Sequence, residues 1–465
     1  MAGWDTLQVL VREEVVQRTQ EGCDTQGFAQ RAAEAGEDEG KLLALMKELS
    51  LLEVRSDFPY QEPSELEEIR KLRPEGPRSL QAELPEQEWR DKFHGAWLGR
   101  SVGCALGKPL ELWPFMAGAN GNPGWKNVQL WFEGANAWPI QGFTPIESPG
   151  SKEMGLELAH FGLKSTRERI AFMETDDDIR YTVLGLIMLE EKGLDWDSWD
   201  IGKLWHSRLT YSQVCTAETQ AYLNFSRMTS HMKPDRPDNW KDKLDWVRTH
   251  MNPYREWIGA QIRADGFAYG AAGQPELAAE LAWRDASFSH IKNGIYGEMF
   301  VAAMISAAFV EKNPRRIVEI GLSEIPATSR LAADIRKAVE IASAAKDQLS
   351  LVDQIWEAFK HYDPVHTNNN AALVTAALIF GDGDFEKAVT TSVLGGWDTD
   401  CNGATVGSIM GAALGAEALP TSWTAPLNDT LYADLIGFDP ISISACADRS
   451  YNVFRKLSNQ LTESR

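Results

Sequence analysis

Apolar positions recur at helical spacing along most of the chain. Leu7, Leu10, Val11 and Val15 share one helical face, and Leu42, Leu43, Leu45, Met46, Leu49 and Leu51 form a second stripe. The polar run GEDEG lies between them. The same periodicity predicts helices over residues 92–107, 177–192, 275–285, 295–311, 330–345, 369–380, 385–394 and 402–416. Alternation of the strand type is sparse, so the expected fold class is all-α, a compact multi-helix body. The stretch DFPYQEPSELEEIRKLRPEGP interrupts the pattern. Its prolines, and Ser64 with Glu67 three residues on as a capping box, predict a link, a short helix and a second link. A boundary is expected near residue 85, giving an N-terminal helical accessory region (1–85) and a main domain (86–465). Residues 112–150, rich in Gly, Pro and Trp, read as a long structured loop near a site.

Two of the predicted helices carry glycine at every fourth position: Gly95, Gly99, Gly103 and Gly107, then Gly403, Gly407, Gly411 and Gly415. Each glycine inside a helix costs about 1 kcal/mol relative to alanine. Four on one stripe imply a compensating gain, and close approach of another backbone is the expected one. The two helices are therefore expected to pack at the centre, each delivering a loop to the same pocket.

Composition narrows the function. Lys and Arg total 46 against 67 Asp and Glu, a net charge of −21. That balance argues against a general nucleic-acid binder, which needs cationic charge to release counterions, and against an anionic membrane surface. The five cysteines are scattered without a CxxC pair, as expected of free thiols in a reducing, cytoplasmic setting. Neither a signal-peptide pattern nor an apolar run of bilayer-spanning length is evident. Oligomeric state is not legible.

Carboxylates cluster at two predicted helix starts. Glu174-Thr175-Asp176-Asp177-Asp178 opens the 177–192 helix. Acidic groups are favourable in a first turn, and Thr175 would serve as N-cap, but four carboxylates in a row repel and call for a cation. Gly395-Gly396-Trp397-Asp398-Thr399-Asp400-Cys401-Asn402-Gly403 places two Asp one residue apart after a glycine pair. Together the clusters offer oxygen ligands suited to Mg²⁺ or Mn²⁺. A third run, Gly381-Asp382-Gly383-Asp384, reads as a turn with Asp384 capping the next helix.

Three segments in this order resemble the ADP-ribosylglycohydrolase family: FHGAWLGRSVGCALGKPLE (93–111), TDDDIRYT (175–182) and GGWDTDCNGA (395–404). Weaker likeness runs through IGAQIRADGF (258–267), SFSHIKNGIYG (287–297) and NNNAAL (368–373), so about residues 90–420 are covered. GWDTDC is similar to a bacterial branch of that family. The resemblance implies an all-α fold with two Mg²⁺ or Mn²⁺ ions in a central cleft. Carried over by position, Thr175, Asp176, Asp177, Asp398 and Asp400 are ligands, and Glu111 completes the site. Cys401 departs from the commonest pattern, where a Thr hydroxyl ligates. A thiol is softer, so either Cys401 packs without ligating or its neighbours fill the gap.

The activity so implied is hydrolysis of a ribosyl glycosidic bond, releasing ADP-ribose from a protein or small molecule. Glu111 and Asp177 are the expected acid–base or water-activating groups. Arg263, Ser289 and His290 are candidate phosphate contacts, and Trp397 a candidate stacking surface. Each also has a structural alternative, as core residue or ion-pair partner. Competing functions are a nucleoside or nucleotide N-glycosidase, a metal phosphohydrolase and a non-catalytic ADP-ribose reader.

Overall fold

The computed structural model describes residues 3–80, 82–229, 232 and 235–463. They contain α- and 3₁₀-helices and isolated bridges, with no β-strand among the described residues. The fold is all-α, and the predicted helices lie close to where the periodicity put them. Asp177–Lys192 and Phe385–Leu394 match end to end. Among the described residues no helix is long and apolar enough to cross a membrane.

At the centre Glu86–Gly107 runs antiparallel to Thr399–Leu414. Their glycines face one another rung by rung. A Cβ on Gly95, Gly99 or Gly103 would strike the carbonyl of Gly411, Gly407 or Gly403, and the reverse holds for each partner. The fourth rung departs from the expected stripe. Gly107 faces the backbone of Thr399, whose hydroxyl donates to the Gly107 carbonyl at 2.9 Å, while Gly415 caps its helix at φ +85°. Contact of two bare backbones recovers dispersion energy over the whole length of the pair, which offsets the propensity cost of the glycines.

Arg100, on the first glycine helix and fully buried, fastens the third central element. It pairs with Asp178 at 2.9 Å and Asp265 at 2.8 Å, and donates to the Thr182 hydroxyl and the Ile262 carbonyl. Asp177–Lys192 thereby lies against the glycine pair. Its own Gly185 touches Gly266 of Ala264–Gly270.

The N-terminal helices Leu7–Gln20 and Glu39–Ser50 bury Leu10, Val11, Leu42, Leu45 and Leu49 in a small second core, shared with Ala217 and Tyr254 of the main body. Beneath it lies a buried ionic network. Arg255 bridges Glu14 (2.6 Å) and Glu21 (2.7 Å). Glu256 accepts from Gln17 (2.7 Å), from both nitrogens of Asn293, and from Arg330, which also holds Glu62. The capping box expected at Ser64 does not form. The short helix is Leu66–Leu72, and Ser64 instead accepts from Trp283 Nε1 and the Lys292 amide. Asp384 caps Phe385–Leu394 as expected, accepting from the Lys387 amide at 2.9 Å.

Two predictions test this architecture. Gly407→Leu forces a side chain into the Gly99 carbonyl, where neither backbone can yield. Its cost should exceed the roughly 1–3 kcal/mol of ordinary overpacking, and circular dichroism should show no cooperative melt. The second concerns acid. Burial opposes ionisation of Glu256, but the charges of Arg330 and Lys292 win and hold its pKa down to about 2 from 4.5. A depressed folded-state pKa contributes stability at neutral pH that is lost as pH falls from about 5 toward 2, here on the order of 3 kcal/mol. Glu256→Gln should be less stable in urea at pH 7 and lose less stability than wild type between pH 6 and 3.

Candidate metal centre and active site

The register of the glycine pair decides what meets at its end. With Gly107 on Thr399, the chain leaving the first helix turns through Lys108–Leu110 and presents Glu111 beside the N-terminus of the second. There Gly396 (φ +75°) and Trp397 (φ +56°) take left-handed conformations that turn Asp398 and Asp400 inward. Asn370, on Thr367–Gly381, fixes this turn: its Oδ1 accepts from the Asp398 amide (3.3 Å) and from Asn402 Nδ2 (2.7 Å). The Arg100 link brings in the N-terminus of Asp177–Lys192, with Asp176 rather than Thr175 as its N-cap.

Six carboxylates therefore converge. Glu111, Asp398 and Asp400 have ligand oxygens within 4.8 Å of one another, as do Asp176, Asp177 and Asp178. Cys104 joins Asp176 and Asp400 in a third such group, and Cys401 joins Asp178 and Asp400 in a fourth. Asp176, Asp178, Asp398 and Asp400 are buried, while Glu111 and Asp177 are half-buried and form the more open face. Oδ1 of Asp398 and both carboxylate oxygens of Asp400 are buried without a hydrogen-bond partner. Buried carboxylate oxygens left so are costly, and a hard cation is the ligand they fit.

Electrostatics agree with that fit. Burial, then Asp398, Asp176 and Asp177, push the Glu111 carboxyl well above the usual range. Burial and the charges of Glu111, Asp176 and Asp398 do the same for Asp400. Asp177 is raised to about 7 by burial and by Asp176. Asp176 alone goes down, to about 2: burial opposes it, but the Lys108 ammonium 2.5 Å away prevails. The two helix N-termini add partial positive charge, too little for six carboxylates. The Cys401 thiol is driven up by burial and by Asp178 and Asp398, toward both of which it donates.

The Thr175 hydroxyl donates to the Ala433 carbonyl (3.0 Å) and accepts from Arg180 (2.8 Å). Four residues expected to touch substrate are buried among protein partners. Arg263 is buried and saturated by Asp285 (2.5 Å), Glu218 (2.7 Å), the Gly259 carbonyl and Ser289, and it lies over the Trp205 and Tyr181 rings. Ser289 bonds His290 Nδ1 at 2.8 Å, and both are fully buried. Trp397 is stacked on Trp356 in the core at 5.2 Å and 14°. The exposed aromatics near the open face are Trp113, two residues past Glu111, and Phe161, whose ring lies 5.5 Å from Lys108 Nζ. Sequence reasoning passed over Lys108, Arg100 and Asn370. Only their places within GKPLE, GRSVG and NNN hinted at them.

A family model, ADP-ribosylglycohydrolase, matches residues 85–458. The chain belongs to the ADP-ribosylglycohydrolase family. Membership makes it a glycosyl hydrolase, and the match spans all three carboxylate-bearing segments. A solved structure of an ADP-ribosylglycohydrolase-related protein complex is 18% identical, with a TM-score of 0.45, covering 79% of this chain and 99% of its own. No curated protein compared with the chain is a match.

The cluster should cost this family member stability. Asp400→Asn removes the cost of burying a carboxyl among like groups, so in EDTA it should raise urea-unfolding stability by about 1–3 kcal/mol. The same variant should lose the rise in melting temperature that Mn²⁺ gives wild type. A destabilised variant would show that Asp400 has protein partners of its own.

Proposed function

We propose that the protein is a divalent-cation-dependent hydrolase that releases ADP-ribose from an ADP-ribosylated protein or small molecule. One observation carries this reading. In a chain of this family, two half-buried carboxylates, Glu111 and Asp177, stand beside buried carboxylate oxygens that lack hydrogen-bond partners. Asp398, Asp400 and Glu111 would hold Mg²⁺ or Mn²⁺, with Asp176, Asp177 and Thr175 beside them. A cation bound there supplies polarisation and orientation of the ribose hydroxyls.

The remaining chemistry belongs to side chains. Cleavage at the anomeric carbon passes through an oxocarbenium-like state and needs a proton given to the leaving atom and one taken from the attacking water. Glu111, on the more open face of the cluster, would act as general acid or base, its proton affinity set by burial and the bound cation. Asp177, the second carboxylate of that face, would accept the proton from water. The buried Asp176–Lys108 pair and the Asn370 bonds keep these groups in place.

The test is a substrate panel with Mg²⁺ or Mn²⁺, read by mass spectrometry: ADP-ribosyl-arginine, ADP-ribosyl-serine, O-acetyl-ADP-ribose, nucleosides and nucleotides. Free ADP-ribose should appear from one of the ADP-ribosylated compounds. Glu111→Gln should slow its release by about 10²–10⁴-fold, and EDTA should stop it. Release of a base with ribose or ribose phosphate would replace this reading with a nucleosidase. Phosphate release with the ribosyl bond intact would make the protein a phosphohydrolase, and binding of ADP-ribose without turnover a reader.

A further inference from the structure

The two halves of the carboxylate cluster are not equivalent. On the Glu111–Asp398–Asp400 side, Asp398 Oδ1 and both Asp400 oxygens have no donor. On the Thr175–Asp178 side both Asp176 oxygens are committed, while Asp178 Oδ2 is buried without a partner. Asp176 Oδ1 accepts from the Asp178 amide at 3.0 Å, and Asp176 Oδ2 from Lys108 Nζ at 2.5 Å. Lys108 Nζ also donates to the Thr175 carbonyl at 2.9 Å. The Thr175 hydroxyl is shared between Ala433 and Arg180, and Asp178 Oδ1 is held by Arg100 at 2.9 Å. Cys401 places a thiol sulfur where the family resemblance implies a hydroxyl oxygen.

Lys108 is not a surface side chain that happens to fold inward. Its side chain is 6% exposed. Its backbone is clamped under residues 159–162: the Ala159 amide donates to the Pro109 carbonyl at 2.9 Å, and a Cβ on Gly162 would lie 2.7 Å from the Lys108 carbonyl. Phe161 covers the ammonium from outside. An ammonium so enclosed, with a carboxylate and a carbonyl as ligands, does electrostatically what a cation does at that place.

We infer that the Lys108 ammonium stands in for one cation of the cluster, so that the protein binds a single divalent ion, on Glu111, Asp398 and Asp400. The two ions implied by the family resemblance then become one ion and one lysine. This inference rests on the divalent-cation reading proposed above, and the experiment separates the two.

EDTA-treated protein is titrated with Mn²⁺, with stoichiometry from calorimetry and elemental analysis, and the loaded sample is examined by electron paramagnetic resonance. Wild type should bind one Mn²⁺ per chain and give an uncoupled six-line spectrum. Asp398→Asn should lose that ion. Lys108→Met, which keeps the length of the side chain without its charge, should bind two Mn²⁺ and give a spin-coupled spectrum. Two coupled ions in wild type would overturn the inference and leave cation dependence standing. No Mn²⁺ bound by wild type would remove the cation reading itself. Should Lys108→Met fail to fold by circular dichroism, the wild-type stoichiometry and spectrum decide alone. A folded Lys108→Met that still binds one ion would deny Lys108 the role.

Discussion

The contact between two glycine-faced helices is the constraint on which the rest of the molecule depends. It is a contact of backbones, so it has no side-chain play. A shift of one residue would turn a Cβ-bearing position into the opposing carbonyl at every rung. The register that avoids this also sets Gly107 against Thr399 and hence Glu111 beside Asp398 and Asp400. The precision that an oxygen-ligand cluster requires is thus inherited from the tightest part of the core. Arg100 extends the same precision to the third element, because a buried guanidinium with two carboxylates and a carbonyl has one workable arrangement.

Side-chain electrostatics run against this rigidity. Five of the six carboxylates are pushed toward protonation by burial and by one another, and only Asp176, against Lys108, is pulled the other way. Such an arrangement persists only where the surrounding structure over-determines it, and here the glycine pair, Arg100 and Asn370 do so. The more open face carries Glu111 and Asp177, and the closed face carries the four buried carboxylates.

What could be seen in the chain before its structure follows from which signals are local. Helical periodicity is local, and so the helices at Asp177–Lys192 and Phe385–Leu394 were legible to the residue. The four-residue glycine spacing was enough to say that two distant helices touch, and the acidic runs at helix starts marked where the cluster forms. Partner choice is not local. Nothing near Arg263 in sequence says that Glu218 and Asp285 will saturate it, and nothing near Trp397 says that Trp356 will lie on it. A charged or aromatic residue close to a motif therefore looked like a substrate contact, when the fold had already used it. Lys108 shows the converse: it sits within a recognised segment, yet its meaning depends on Asp176, which lies far along the chain.

The ionic layer beneath the N-terminal helices has a bearing on other sequences. Arg255, Glu256 and Arg330 are buried in the main body but find their counter-charges and hydrogen bonds partly in Glu14, Gln17, Glu21 and Glu62. A body of this fold built without the first sixty or so residues, roughly as far as Glu62, would leave two guanidinium groups and a carboxylate at an uncovered face with fewer partners, a costly state. Such a body would be expected to carry apolar or small polar residues at those three positions. The charges at 255, 256 and 330 thus tie the catalytic region of this chain to its N-terminal layer.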